Sequence, residues 1–332
     1  MSLIEIRDLR VAFDGTQVLH GINLNVAKGE SVGLVGESGC GKSVTWLAAL
    51  GLLPGKARVS GSVTIDGQEL CGATRSTLEG IRGGRIAMIF QDPSSSLNPV
   101  VRVGRQITEA LRIHRGLEGG AARNEAIRLM DMVGIPNARG RFHAYPHEFS
   151  GGQCQRLMIA MALAGEPELL IADEPTTALD ATIQAQILDL LSTIRAETGM
   201  AMVFISHDLG ATSQVCGRIC VMYAGSIVEE GSIETVFDNP RHPYTRGLFD
   251  AIPRLDGGRE RLIPIHGTVP DPKRLPQGCT FSPRCSRATG FCRDNPPMLR
   301  PQPDGRQLSC FHPVSGNGQR SQTSNLRGSV AA

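Results

Sequence analysis

Leu9, Val11 and Phe13 alternate with Arg10, Ala12 and Asp14, the period-2 pattern of a strand with one buried face. Ser31 to Val35 reads as a short buried strand. It leads straight into a glycine-rich octet, Gly36-Glu37-Ser38-Gly39-Cys40-Gly41-Lys42-Ser43, after which Val44 to Leu53 is an apolar helical stretch closed by Pro54 and Gly55. Asp66-Gly67 between alternating apolar residues predicts a hairpin over Val59 to Glu69, and Arg85 to Phe90 predicts another strand. Pro99 to Ala164 is mostly helical in pattern, with breaks at Gly116 to Gly120 and Pro136 to Pro146. Strands return at Leu169 to Ala172, Met202 to Ile205 and Ile219 to Tyr223, with a helical run from Ala181 to Glu197 between the first two. Strands alternating with helices imply an α/β fold with a parallel sheet covered on both faces.

The pattern changes after about Phe237. From there to Pro313 the chain is rich in Pro and Arg, holds Cys279, Cys285, Cys292 and Cys310, and shows no sustained periodicity. It predicts a small loop-rich extension, 237–313, following a first domain at 1–236. The tail, 314–332, is Ser, Gly, Asn and Gln with few large apolar residues, cannot offset its own ordering entropy, and is expected to be disordered.

Composition narrows the function classes. The 332 residues carry 34 Lys and Arg against 32 Asp and Glu, a net charge of +2, so no basic excess points to nucleic acid. Aromatic residues are only 4% of the chain, too few for a platform on which bases stack. No apolar run is long enough to span a bilayer, so any membrane role is expected to be peripheral. The opening MSLIEIRDLR carries Glu5 and Asp8 and no apolar core of a signal peptide, which predicts a cytoplasmic protein. Nine cysteines, an odd number, argue against a disulfide framework and leave metal ligation or packing.

The octet satisfies G-x-x-x-x-G-K-[ST] in the strand-to-helix setting that the pattern requires. Such a loop wraps backbone N–H groups around phosphate oxygens, and the following helix N-terminus favours negative charge. Lys42 is placed to reach the β and γ phosphates, and the Ser43 hydroxyl to ligate Mg²⁺. A second motif, Leu169-Leu-Ile-Ala-Asp-Glu174, is an apolar strand ending in two carboxylates, which are costly unless a cation or proton compensates them. Asp173 is placed to hold Mg²⁺ and Glu174 to orient or polarise an attacking water. Between these motifs, Ser150 and Gln153 form an S-x-x-Q capping box, and Gly151-Gly152 leave the helix start bare enough for a phosphate to approach.

Phe149-Ser150-Gly151-Gly152-Gln153 resembles the LSGGQ signature of the ATP-binding cassette (ABC) ATPases. The resemblance, over about residues 3–235, implies a P-loop nucleotide-binding domain: a mostly parallel sheet with an antiparallel β subdomain and a helical subdomain at about 92–164. It implies ATP cradled by Gly36, Glu37, Ser38, Gly39, Cys40, Gly41, Lys42, Ser43 and Val44, with Phe13 stacked on adenine. Gln91 matches the Q-loop residue, joining Ser43 and Asp173 at Mg²⁺. Thr177-Ala-Leu-Asp180 matches the D-loop, with Asp180 at the nucleotide, and His207 matches the switch histidine. Lys42, Gln91, Glu174 and His207 are the implied catalytic residues. The helix that starts at Ser150 would face the γ-phosphate held by a second ATPase subunit, so the active unit is expected to be a homo- or heterodimer enclosing two ATP. Val44 departs from the Thr of many relatives, and Cys154 stands where a charged residue is common; neither change removes a ligand.

Gln91-Asp-Pro-Ser-Ser-Ser-Leu-Asn-Pro99, His242-Pro-Tyr-Thr245 and Pro283-Arg-Cys285 resemble the ATPase subunits of oligopeptide, dipeptide and nickel importers, a match over about residues 1–313. That implies a motor on the cytoplasmic face of the membrane, acting through two separate permease subunits and, via the complex, an extracytoplasmic substrate-binding protein. The segment after Gln91 would be the permease contact. The spacing Cys279-x5-Cys285-x6-Cys292-x17-Cys310 lacks the short pairs of zinc ribbons and suits a [4Fe-4S] cluster better, with zinc open and His312 a substitute ligand. Some relatives in this branch carry such a cluster. Cys216 and Cys220 are expected to be packing residues. The catalytic landmarks lie between Gly36 and His207, so the cysteine segment is expected to stand apart from the chemistry. The alternative is a soluble ABC ATPase acting on nucleic acid; the +2 charge, few aromatics and lack of a long coiled-coil insertion between Gln91 and Ser150 oppose it.

Overall fold

Every residue of Leu169–Asp173 is buried, as befits a strand with neighbours on both edges and cover on both faces. In the computed structural model, which describes residues 2–92, 96–177, 179–251 and 264–314, the elements begin with β1 (Ser2–Phe13), β2 (Thr16–Ala27), β3 (Ser31–Val35), α1 (Lys42–Ala49), β4 (Ala57–Ile65), β5 (Gln68–Glu69), α2 (Arg75–Ile81) and β6 (Ile86–Ile89). There follow α3 (Val103–Arg115), α4 (Gly119–Met132), α5 (Ala138–Arg141), α6 (Gly151–Leu163), β7 (Leu169–Asp173), α7 (Ala181–Thr198) and β8 (Ala201–Ser206). The chain continues as α8 (Leu209–Val215), β9 (Arg218–Tyr223), β10 (Ser226–Ser232), α9 (Ile233–Asp238), α10 (Pro243–Asp250), α11 (Gly290–Asp294), β11 (Arg300–Pro301) and β12 (Gln307–Leu308). Contacts divide it into two compact units, Met1–Ile4 with Val26–Ser31 and Ile65–Ile205, and Glu5–Asn25 with Val32–Thr64 and Ser206–Ala332.

In the first unit β6, β7 and β8 are parallel, with Ile86 opposite Leu169 and Leu169 opposite Ala201. The connection from β6 to β7 carries the helical group α3 to α6, and the connection from β7 to β8 carries α7. Helix α3 buries Val103, Ile107 and Leu111 at helical spacing and closes on Gly116 in the left-handed region. Gln106 is buried with them and stays satisfied: its Nε2 donates to the carbonyls of Asn98 and Val101, and its Oε1 accepts from the Asn98 N–H.

In the second unit β3 and β9 are parallel, and β9 turns at Ala224 and Gly225 into antiparallel β10. The extension rejoins this sheet: β12 pairs with β10, Leu308 opposite Glu229, and β11 pairs with β12. A buried ion pair locks that edge. Arg306 Nη1 donates to Glu229 Oε1 at 2.7 Å, the two side chains being 1% and 0% exposed. The same guanidinium also donates to the carbonyls of Asn239 and Thr235, and Glu229 accepts from the N–H groups of Arg241 and His242. Such a pair is tolerable because every polar atom is met.

The first-domain strands lie where their patterns predict, except that β2 and β10 carry too many polar residues to announce themselves. The first helix ends at Ala49 instead of Leu53, because Gly51, with φ 61°, lets the Leu52 N–H reach the Leu47 carbonyl and close the helix. The described residues after Phe237 are anchored by Arg306 and by a ring cluster of Tyr223, Tyr244, Phe281 and His242. The expectation of a disordered tail falls on 315–332, outside the described residues.

His242 gives this region a pH signature. The ring is buried, its Nδ1 accepts from the Tyr244 N–H at 3.1 Å, and burial pulls its pKa from 6.5 down to about 3. The folded state therefore keeps it neutral while the unfolded chain takes up a proton below its ordinary pKa, so stability present above pH 6.5 is lost as pH falls toward about 3. The slope from this one group is at most about 1.4 kcal/mol per pH unit. Urea unfolding at neutral and mildly acid pH should show the wild type losing more stability on acidification than His242→Asn, which starts less stable but lacks the titration.

Candidate functional site

The second unit builds the phosphate loop at the end of β3. Gly36 adopts φ 154°, and a Cβ there would meet the Met222 carbonyl at 2.2 Å, so only glycine fits. Helix α1 then starts on Gly41 with no side-chain cap, leaving its first N–H groups for an anion. Lys42, 5% exposed, lies along the loop: Nζ donates to the carbonyls of Gly36 at 2.8 Å and Glu37 at 3.2 Å. Glu37 is held from the far side as well, its N–H donating to the Tyr244 hydroxyl at 2.8 Å. Cys40 is buried, which pushes its thiol pKa up and suits it to packing rather than reactivity. Phe13, half-buried, ends β1 at the turn made by Asp14 and Gly15, and His207, exposed, follows β8. Asp208 beside it caps α8, accepting from the Ala211 N–H.

The first unit gathers the carboxylate motif. Asp173 is the buried last residue of β7, and Glu174 follows with φ 47°, a left-handed backbone that a residue with a Cβ adopts only when its surroundings impose it. The constraint is visible: the Glu174 N–H donates to the Ile205 carbonyl, and its Oε2 accepts from Thr177 Oγ1 at 2.9 Å and Gln91 Nε2 at 3.2 Å. Gln91, just past β6, and Glu174 are thus brought together. Thr177, the first residue of the D-loop match, thus contacts the acid, a bond that the match does not imply.

The S-x-x-Q box forms as expected at the start of α6, Ser150 Oγ accepting from the Gln153 N–H and Gln153 Oε1 from the Ser150 N–H. Arg141 supports it, donating to Gln153 Oε1 and stacking 3.9 Å from the centre of the Phe149 ring. Ser150 and Gly151 are exposed, and a Cβ on Gly151 would meet nothing within 4 Å, so this helix end is open to an incoming group. Asp180 caps α7 by accepting from the Ile183 N–H, a structural job that its match to the D-loop did not suggest.

This geometry meets the comparisons. Residues 19–177 match the ABC transporter family model, and residues 228–292 match the model for the C-terminal region of oligopeptide/dipeptide transporters. The chain is 47% identical over 316 residues, 94% of each chain, to the oligopeptide transport ATP-binding protein OppD of Salmonella typhimurium. The chain belongs to the ABC transporter ATPases. It is an ATP-hydrolysing subunit of an ABC importer. It is also 51% identical over 306 residues to a putative peptide import ATP-binding protein of Brucella abortus, covering 91% of this chain and 90% of that one. Among solved structures, the ATP-binding cassette MJ0796, a dimer bound to ADP and Pi, aligns with TM-score 0.62 at 28% identity, over 69% of this chain and 98% of that one. The fold class is therefore that of the family, as the motifs implied.

The cysteine segment behaves differently from its expectation. Cys279, Cys285, Cys292 and Cys310 do line one pocket, with Phe281 and His312. The Cys279 N–H donates to the Cys292 carbonyl, stapling two of the four segments. Yet among the described residues no three His, Cys, Asp or Glu side chains stand so that they hold a metal ion, so the structure offers a soft-donor pocket and not a formed ligand set. Burial pushes the thiols of Cys279 and Cys285 up and that of Cys310 to about 11, and the neighbouring cysteines add to the rise because like thiolate charges would repel. Cys216 and Cys220 are buried in the core, as packing residues are.

Because Ser150 caps α6, its removal has a folding cost separate from any role at a phosphate. Ser150→Ala should lower stability by about 1 kcal/mol and Ser150→Asn by much less, which urea unfolding of the purified chain will measure.

Proposed function

We propose that this subunit drives import of di- and oligopeptides, hydrolysing ATP on the cytoplasmic face of the membrane as one of two ATPase subunits beneath two permease chains. The single observation that carries the peptide assignment is the 47% identity, along 94% of both chains, to an oligopeptide transport ATP-binding protein; the C-terminal match at 228–292 supports it. Among the described residues no helix is long and apolar enough to cross a membrane. The segment after Gln91 is the proposed contact with the permease chains, and an extracytoplasmic binding protein is the proposed source of cargo. Its expected organisation is an ATPase domain at 1–236 and an extension at 237–313.

In this reading the loop Gly36–Val44 cradles the phosphates, Phe13 stacks on adenine, Ser43, Gln91 and Asp173 hold Mg²⁺, and Lys42 neutralises β and γ charge. Glu174 polarises the attacking water. The Gln91 and Thr177 hydrogen bonds to its Oε2 support that role, because they fix the carboxylate's orientation before water arrives. His207 contacts the γ-phosphate, and Ser150 to Gln153, with Asp180, complete the partner subunit's site. Glu174→Gln should keep ATP binding, lose steady-state hydrolysis by about a hundredfold or more, and accumulate an ATP-bound dimer. Turnover of the assembled transporter and size-exclusion chromatography with ATP read both effects; near-normal turnover would remove Glu174 from the chemistry. Co-purification with permease chains separates this function from a nucleic-acid ATPase.

The cysteine pocket carries a finer reading, ligation of one centre by Cys279, Cys285, Cys292 and Cys310, [4Fe-4S] first and zinc second. Convergence of all four on one pocket supports it, and a group bound there would add folding free energy to a segment with little apolar core, after displacing the thiol protons. Anaerobic purification with iron, sulfide and zinc quantitation should find iron and sulfide in equal amounts; zinc without sulfide would replace the cluster, and no metal would end the idea.

A further inference from the structure

Glu37, inside the phosphate loop, has every polar group committed. Its N–H donates to the Tyr244 hydroxyl, its carbonyl accepts from Lys42 Nζ, and its carboxylate is clamped by Arg284 through two bonds, Nη1 to Oε2 at 2.6 Å and Nη2 to Oε1 at 3.0 Å. Arg284 comes from the extension, 247 residues along the chain. Its side chain is 5% exposed, its Nε donates to the His266 carbonyl, and its guanidinium lies 5.8 Å from the centre of the Tyr223 ring. The hydrogen bonds to Glu37 push its pKa further up, so it is charged at any working pH.

A carboxylate within a loop that receives a triphosphate is an electrostatic liability. Left alone, it would repel the ligand at short range in a partly desolvated site. A bidentate guanidinium cancels that charge and fixes the direction of the side chain, which a lysine's point charge does only in part. We propose that Arg284 of the C-terminal extension is a positioning residue for ATP, holding the phosphate-binding loop through Glu37 and neutralising the carboxylate there. This rests on the reading of Gly36–Ser43 as the nucleotide cradle. In this reading the cysteine segment does not stand apart from the chemistry, since Arg284 ends the turn Ser282–Arg284 and Cys285, on the pocket wall, is its neighbour.

The test uses the full chain for ATP binding by calorimetry and the assembled transporter for turnover. Arg284→Gln should raise the Kd and KM for ATP about tenfold with kcat changed less than about twofold, and Arg284→Lys should raise them only about threefold. The defect of Arg284→Gln should shrink as salt rises, because its cause is an uncompensated charge. Adding Glu37→Gln to Arg284→Gln should bring Kd back to within about threefold of wild type, a rescue that mere loss of folding in the extension would not show. If Arg284→Gln proves insoluble, Arg284→Lys and the double variant carry the same comparison. Unchanged Kd in Arg284→Gln, or a double variant worse than the single, overturns the proposal. Lys42→Ala serves as the separate control: should it bind ATP like wild type, the cradle reading fails and the proposal with it, whereas loss of binding there with no effect at Arg284 refutes the positioning role alone.

Discussion

A buried parallel strand can satisfy its backbone only through its neighbours, so polar chemistry must wait until the strand ends. This chain obeys that constraint four times: the phosphate loop follows β3, Gln91 follows β6, Asp173 and Glu174 end β7, and His207 follows β8. Each carboxyl end releases the chain into a turn that carries polar groups: N–H groups, an amide, a carboxylate pair or an imidazole. That is the general placement of sites in open α/β sheets. The helices that follow add their own ends, α1 uncapped by any side chain and α6 and α7 capped by Ser150 and Asp180. The uncapped start belongs to the phosphate loop, where a cap would compete with an anion for the same donors.

Legibility in the sequence follows from how local each interaction is. The strand and loop at 31–43, the hairpin at Asp66-Gly67 and the S-x-x-Q box are contiguous patterns, and they fold as written. Strand β10 is hidden because Glu229 and Glu230 interrupt its apolar run; the partners that let Glu229 be buried, Arg306 and the N–H groups of Arg241 and His242, lie further along the chain. The left-handed backbone at Glu174 has no sequence mark either, since it is imposed by the Ile205 carbonyl and the Thr177 turn rather than by a glycine. The roles of Tyr244 and Arg284 at the phosphate loop are equally silent in the pattern, both residues being more than 200 positions from Glu37.

The extension shows how a segment short of apolar residues can still be held in place. Two ion pairs fasten it in the second unit, Arg306 to Glu229 at the sheet edge and Arg284 to Glu37 at the phosphate loop, and aromatic rings fill the space around them. Arginine suits both places for one reason: its planar fork satisfies several acceptors at once, so that a buried charge leaves no donor unmet. The two pairs differ in what a break would do. At Glu229 the loss is structural, about 3–5 kcal/mol for a buried partner left alone. At Glu37, 29% exposed, the stranded charge can be relieved by water and ions, so the penalty to folding is smaller. Arg284 on the Glu37 carboxylate and its neighbour Cys285 on the wall of a separate pocket tie the extension directly to the loop Gly36–Ser43.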